Sequence, residues 1–289
     1  SIFGFITEHR SEFGVKEMCR VLGVTRSWYY RWQSRGATKR QRQDQTLLPS
    51  IKAIFEESDQ TYGADRTVKE LRKKEIRVGK NRVNRLMREN NLEVKTIKRF
   101  KVTTNSDHKR PVAANLVTQA FTAEVPDRRW TGDITYIWTA EGWLYLAVVL
   151  DVFSRRIVGW SMSRRMKDDL VVTAFKNALV RRRPMRGFIF HSDRGSQYCS
   201  KRFRALVRGS GGMQSMSATG CCYDNAITES FFGTLKRELV HHCYFRSRHE
   251  AQSRIFCYIE GFYNRKRIHS AIDYLSPEQF EQRQLLMAA

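Results

Sequence analysis

The stretch Trp130-Thr131-Gly132-Asp133-Ile134-Thr135-Tyr136-Ile137-Trp138 decides the fold, because it sets a carboxylate inside a run of β-formers. Threonine, isoleucine, tyrosine and tryptophan suit a pleated, half-buried surface, so Arg129 to Trp138 reads as a strand. Trp143 to Asp151 and Arg155 to Ser163 are two more β-rich runs, separated by Thr-Ala-Glu-Gly and then by Val-Phe-Ser. Connections that short imply antiparallel hairpins. Further on, Asp168 to Arg181 is amphipathic, Gly187 to His191 is a short buried-strand run, Ser200 to Arg208 is helical and Met213 to Ser217 is another strand. The order β-β-β-α-β-α-β-α predicts an α/β (α+β) core. Helices at Asp224 to Leu239, Ser247 to Arg265 and Pro277 to Met287 complete a domain spanning 127–289.

Upstream the chain changes character. Residues 1–36 read as a small helical unit: Val15 to Leu22 carries apolar residues at helical spacing, Gly23 turns, and Thr25 caps a second helix. That helix mixes Arg26 and Arg31 with Trp28, Tyr29, Tyr30 and Trp32, a composition suited to a nucleic-acid groove. The polar run 37–46 is expected to be a linker. A second helical module occupies 47–100, and its third helix repeats Val83, Leu86 and Met87 at i, i+3 and i+4. Between Ala64 and Arg110 there are 16 lysines and arginines against 6 acids. Lys80, Arg82 and Arg85 are the expected phosphate contacts there. Residues 101–126, with Pro111 and Pro126, form a connector.

Composition bounds the function. In 289 residues, 52 lysines and arginines oppose 29 acids, leaving +23, which calls for a polyanionic partner. Hydrophobic residues at 41% exclude a disordered chain, and no apolar run is long enough to cross a bilayer. The start has no secretory pattern. Six cysteines without a C-x2-C pair read as reduced thiols of a cytosolic protein, and zinc is not expected. His241, His242 and Cys243 are neighbours on one chain and read as surface or structural residues.

Three acids carry the chemistry. Asp133 lies in the first strand, Asp193 just past the strand Phe188 to His191, and Glu229 in the helix that opens at Asp224. Carboxylates on a strand, a strand end and a facing helix can converge on one point. Hard oxygen ligands favour Mg2+ or Mn2+, and two such ions serve in-line displacement at a phosphodiester. On the helix, Ile227, Phe231 and Leu235 fall opposite Glu229, whereas Asn225 and Lys236 share its face. Glu238 falls on the far side. Asp224 suits the helix N-cap, Asp151 a turn hydrogen bond and His191 a packed, hydrogen-bonded place in a buried strand. Trp130, Trp138, Trp143 and Trp160 read as core or domain-seam aromatics, with base stacking as the alternative.

Around these acids stand Trp130-Thr131-Gly132-Asp133-Ile134-Thr135-Tyr136, His191-Ser192-Asp193-Arg194-Gly195-Ser196-Gln197-Tyr198 and Tyr223-Asp224-Asn225-Ala226-Ile227-Thr228-Glu229-Ser230-Phe231-Phe232, with 35 residues between Asp193 and Glu229. In these strings the chain resembles the insertion-sequence DDE transposases, specifically the integrase-like second-reading-frame product of the insertion sequence three family. Leu235-Lys236-Arg237-Glu238, Tyr263-Asn264 with Arg267 and His269, and Tyr62-Gly63 with Asn81-Arg82-Val83 extend the likeness over nearly the whole chain.

The resemblance implies an RNase H-like integrase core with a mixed five-stranded sheet, in which Asp133, Asp193 and Glu229 hold two Mg2+ or Mn2+ ions. Water attack would expose a 3′-hydroxyl at a transposon end, and that hydroxyl would attack a second phosphodiester. Arg194, Asn225, Lys236 and Arg267 would position DNA, with packing the equal alternative for Arg267 and His269. The implied partners are double-stranded DNA (terminal inverted repeats and target), further copies of the chain in a synaptic complex, and the upstream-frame protein. The implied location is the bacterial cytoplasm, at the nucleoid. Two other readings stay open at this point: a regulator that binds transposon ends without cutting, and an RNase H-type nuclease.

Overall fold

Alternation along the first two strands sorts the apolar residues onto two faces. On β1 (Arg129–Thr139) Trp130 points to one layer and Ile137 to the other; on β2 (Gly142–Asp151) Ala147 and Val149 join Trp130, while Leu144, Leu146, Val148 and Leu150 join Ile137. A sheet apolar on both faces must be covered on both. In the computed structural model, which describes residues 2–34, 36, 38–95, 113, 115–116, 123–217 and 226–288, this is what happens. The first face packs on α7 (Asp168–Arg182) and α8 (Lys201–Gly209) through Phe175, Phe188, Phe190 and Phe203. The second packs on α9 (Ala226–Glu238) and α10 (Arg248–Phe256) through Phe231, Leu235, Ile255 and Ile259.

With β3 (Ile157–Ser163), β4 (Ile189–Ser192) and β5 (Met213–Met216), the sheet runs β3-β2-β1-β4-β5. The first three strands are antiparallel, and β4 and β5 join parallel to β1. That order and polarity make the core RNase H-like. The register pairs Gly132 with Ser192, so Asp133 and Asp193 leave neighbouring strands at the same height. Gly132 is required here, since a Cβ would stand 2.5 Å from the Phe190 ring.

The sequence reading of one helix at Ser247 to Arg265 is modified. The α-helix gives way at Cys257 to a wider π-helical turn through Tyr263. Asn264 then bonds both the N–H and the carbonyl of Ile157, each at 3.0 Å, and fastens β3 to the C-terminal segment.

The N-terminal unit has three helices: α1 (Ile2–Glu8), which the sequence reading did not place, α2 (Val15–Val21) and α3 (Arg26–Ser34). Ile6, Met18, Cys19 and Tyr29 form its small core, and the Thr25 hydroxyl accepts from the Trp28 N–H at 3.3 Å. The expected linker at 37–46 is corrected. Thr38 and Gln41 form a capping box, and a single helix α4 (Lys39–Glu57) runs through the polar segment and past Pro49. Its buried residues Leu47, Ile51, Ile54 and Phe55 pack on α5 (Ala64–Lys73) and α6 (Lys80–Glu89). That packing overrides the weak local preference.

This second module also docks on the core. Ile268 enters its apolar cluster, and the Tyr62 hydroxyl accepts from the Ile268 N–H at 2.8 Å. The last helix, α11 (Pro277–Ala288), returns to the sheet end near Asp151 through Glu281. Most of the connector 101–126 lies outside the described residues. Among the described residues no helix is long and apolar enough to cross a membrane.

Candidate active site

Three elements bring the predicted acids to one end of the sheet. β1 supplies Asp133, whose Oδ1 accepts from the Ile134 N–H at 2.7 Å. The turn after β4 supplies Asp193, whose Oδ1 accepts from the Gly195 N–H at 2.9 Å. A Cβ at position 195 would stand 2.9 Å from that oxygen, so glycine lets the backbone close on the carboxylate. α9 supplies Glu229 from its first turn. Phe231, Phe232 and Leu235 are buried against the sheet, while Glu229 stays exposed. One residue before it, the Thr228 hydroxyl donates to the Thr131 hydroxyl at 3.0 Å, a buried bond that ties the helix start to β1 two residues before Asp133.

The electrostatics are those of crowded like charges. Burial raises the Asp133 carboxyl well above its ordinary value, and Asp193 and Glu229 push it further up, against the Ile134 N–H and Lys236, which lower it. Burial and Asp193 likewise raise Glu229. The Lys236 ammonium lies 4.9 Å from the Tyr136 ring centroid; burial lowers its pKa, and Tyr136 and Asp133 oppose that shift. Beneath the acids, the Tyr198 hydroxyl is buried with no hydrogen-bond partner among the described residues. Burial raises its pKa well above normal, and Asp133 and Asp193 raise it further.

An all-oxygen donor set under mutual repulsion, above an orphaned hydroxyl, has the chemistry of a site for a hard divalent cation. Among the described residues no three His, Cys, Asp or Glu side chains stand close enough together to hold a metal ion as they are placed.

The other predicted site residues fall in different places. Arg194 sits in the loop beside Asp193, its Nε donating to the Ser217 carbonyl at 2.7 Å. Asn225 and the expected N-cap Asp224 lie outside the described residues. Arg26 and Arg31 are exposed on α3, and Lys80 is exposed beside Asp65 at 2.9 Å.

Three of the arginines expected at DNA have partners within the chain. Arg82 and Arg85 turn inward to Asp44 of α4, each at 2.6 Å, and Arg85 also meets Glu89. Arg267 is 4% exposed and clamps Glu238 at 2.7 and 2.8 Å. Glu238 also accepts from the Tyr258 hydroxyl at 2.8 Å and faces Arg66 of α5 at 3.8 Å. Arg267 thus holds the far end of the Glu229 helix to the C-terminal segment. Two residues on, His269 is half-buried against Tyr263, and burial and Arg267 hold its pKa well below normal.

The bland readings of other residues agree with the structure. Asp151 is buried and accepts from the Ser154 hydroxyl at 2.9 Å, and His191 lies between the Ser215 and Ser217 hydroxyls at 2.9 and 3.1 Å. Trp130 is core. Trp138 and Trp143 are not: they are 56% and 43% exposed, because the described helices leave that end of the sheet uncovered.

Sheet order, converging acids and a basic helical front end define a polynucleotidyl-transferase core of the integrase type behind an HTH-like DNA-binding module. Residues 123–222 and 229–285 match two models described as integrase core domain, and residues 42–100 match an HTH-like domain.

The chain belongs to the IS3 family of insertion-sequence transposases. It is 45% identical over 283 residues, covering 97% of this chain and 98% of the relative, to transposase InsF for insertion sequence IS3A of Escherichia coli (strain K12). It is also 45% identical over 272 residues, covering 94% and 100%, to the 31 kDa protein of insertion element IS600 of Shigella sonnei. Among solved structures, the HTLV-2 integrase catalytic core domain in complex with magnesium (trimeric form) matches with a TM-score of 0.43 and 16% identity, over 55% of this chain and 98% of that one.

Proposed function

We propose that Asp133, Asp193 and Glu229 are the catalytic acids of this transposase and that they hold two Mg2+ or Mn2+ ions between them. The observation that carries this reading is that the three acids arrive from separate elements close enough for Asp193 to raise both Asp133 and Glu229, on top of what burial does to each. Unscreened repulsion of that kind costs stability unless a cation relieves it. Bound there, divalent ions supply activation of the attacking oxygen and stabilisation of the leaving one.

The chain's own residues do the positioning. Gly132 and Gly195 let Asp133 and Asp193 approach, and the Thr131–Thr228 bond fixes the angle of the Glu229 helix. Lys236 brings a cation to the same place for a DNA phosphate. The reaction is in-line displacement at phosphorus: water frees a 3′-hydroxyl at a transposon end, and that oxygen then attacks a second phosphodiester, whose own 3′-oxygen leaves. Residues 1–36 and 38–95 grip the terminal repeats, and more than one copy acts, since two ends must meet. Such a protein works on the chromosome in the bacterial cytoplasm, with or without the upstream-frame product.

Glu229→Gln keeps the shape of the side chain and removes its charge. The variant is expected to bind transposon-end duplex as the parent does and to lose Mg2+-dependent strand joining by about 1000-fold or more, measured on labelled oligonucleotides. Unchanged joining would assign the chemistry elsewhere, and a parent protein that binds ends but never joins them would return the regulator reading.

A further inference from the structure

Further along the strand that carries Asp133, and on its other face, lies a patch of aromatic surface that the reaction as described does not use. β4 pairs with β1 only as far as Gly132, so the rest of β1 has an open edge on that side among the described residues. Along it, Tyr136 and Trp138 project from the same face, and register pairs Trp138 with Trp143 across the hairpin. The three rings form one cluster: Trp143 meets Trp138 edge-on at 4.8 Å and Tyr136 edge-on at 5.1 Å. All three are exposed, at 38%, 56% and 43% for Tyr136, Trp138 and Trp143. Large aromatics are placed in water at a cost, and these three keep much of their ring surface exposed.

Cations frame the patch. Lys236 comes from α9 on the other face of the sheet and lies over the Tyr136 ring. On the far side the Arg248 Nε donates to the Trp143 carbonyl at 3.1 Å. Tyr136 follows Asp133 by three residues, about 10 Å along the strand and on its opposite face, and Lys236, which lies over the Tyr136 ring and interacts with Asp133, spans the open edge between them. Exposed tryptophan rings flanked by ammonium and guanidinium groups, at an open strand edge that Lys236 links to Asp133, have the composition of an unpaired-base site.

We infer that Trp138, Trp143 and Tyr136 form a stacking platform for an unpaired nucleobase beside the phosphodiester under attack. The inference rests on Asp133, Asp193 and Glu229 being the catalytic acids. In-line attack needs the scissile phosphate lowered onto carboxylates in a half-buried notch, and a base leaving the duplex at that point gives the strand the slack to do so. The platform then holds the freed base without reading its identity, since every base offers a flat face. A paired duplex has no base to offer it.

The test uses the full chain in EDTA, so that no chemistry intervenes, with two DNA probes: a fork carrying 2-aminopurine at its first unpaired position and the fully paired duplex of the same sequence. The parent is expected to prefer the fork about tenfold and to quench its 2-aminopurine on binding. Trp138→Ala with Trp143→Ala is expected to lose both the preference and the quench while keeping duplex affinity and Tm. Trp143→Phe is expected to restore most of each. Glu229→Gln should keep both, so that failure of the acid assignment and failure of the platform are told apart. A double alanine variant that still prefers the fork would overturn the inference. So would one whose only change is a lower oligomeric state by sedimentation, which would give the patch to a second copy of the chain.

Discussion

Two groups of acids gather around the β1–β2 pair, one at Asp151 and one at Asp133, and are treated in opposite ways. At one end, around Asp151, Arg182 bonds Asp127 at 2.9 and 3.0 Å and Glu281 at 2.8 and 3.0 Å. Arg156 bonds Glu281 at 2.7 Å, and the Ser154 hydroxyl bridges Glu281 and Asp151. Glu281 is held below its ordinary pKa although burial works against that, and Asp151 reaches about 7 through burial and the charge of Asp127. Three residues along β1 from Trp130, the partner of Asp151, stands Asp133, where the neighbours are carboxylates and Lys236 is the cation that opposes them. A fold that holds itself together with carboxylates supplies guanidinium groups to match. At the second group, on the proposed reading, divalent ions supply the balancing charge.

The largest test of that contrast is stability. Glu281→Gln removes the carboxylate that Arg156 and Arg182 share in a half-dry site, leaving Arg182 with Asp127 and Arg156 with Glu278, and removing one partner of a buried pair costs about 3 kcal/mol. For a domain of this size that lowers Tm by roughly 10 °C, read by calorimetry, with strand joining retained at a permissive temperature. Asp133→Asn is expected to do the reverse: joining disappears, and the metal-free protein melts at or above the parent temperature because a repelling charge has gone. A Tm loss at Asp133 as large as that at Glu281 would mean that both groups are structural.

A weaker and more selective test is pH. Folded-state pKa values of Asp133 and Glu229 are raised, so the metal-free protein binds more protons there than the unfolded chain does. Their unfavourable contribution shrinks as pH falls from the raised values toward the ordinary carboxylate range. Glu281 has the opposite sign: its contribution is present above the ordinary glutamate pKa and fades as pH drops through the lowered one. Mg2+ is expected to expel protons from the acid cluster, so calorimetric titration in buffers of different ionisation enthalpy should show proton release and an affinity that rises with pH. Binding without proton release would separate the ion from these carboxylates.

How much of this was legible before folding follows from where each partner lies in the chain. Asp133 and Asp193 stand out because a strand and a strand end are unusual places for a lone carboxylate, and Glu229 because helix phase turns it from Phe231 and Leu235. Those signals are local. Arg82 and Arg85 read as free cations because their partner, Asp44, lies about 40 residues upstream in a stretch whose polar composition resembles a linker; only the Thr38–Gln41 capping pair marked a helix there. Glu238 and Arg267 are 29 residues apart, and nothing at either position announces the other. Trp138 and Trp143 read as core or domain-seam aromatics, with base stacking as the alternative, because their exposure depends on where the covering helices stop.

The smallest effect expected distinguishes the arginines that remain on the surface from those that turned inward. Each phosphate neutralised adds about 0.9 to the slope of log K against log salt. Arg26 and Arg31 are exposed on α3, so replacing either by glutamine should reduce that slope by about one on a transposon-end duplex, measured by anisotropy across a salt series. Arg85 spends its guanidinium on Asp44 and Glu89, and its Nε is buried without a partner among the described residues. Arg85→Gln should therefore leave the slope where it was and show itself as a lower Tm, because the α4–α6 seam loses its ion pair. A fall in slope at Arg85 would mean that DNA competes successfully with Asp44 and that the module rearranges when it binds.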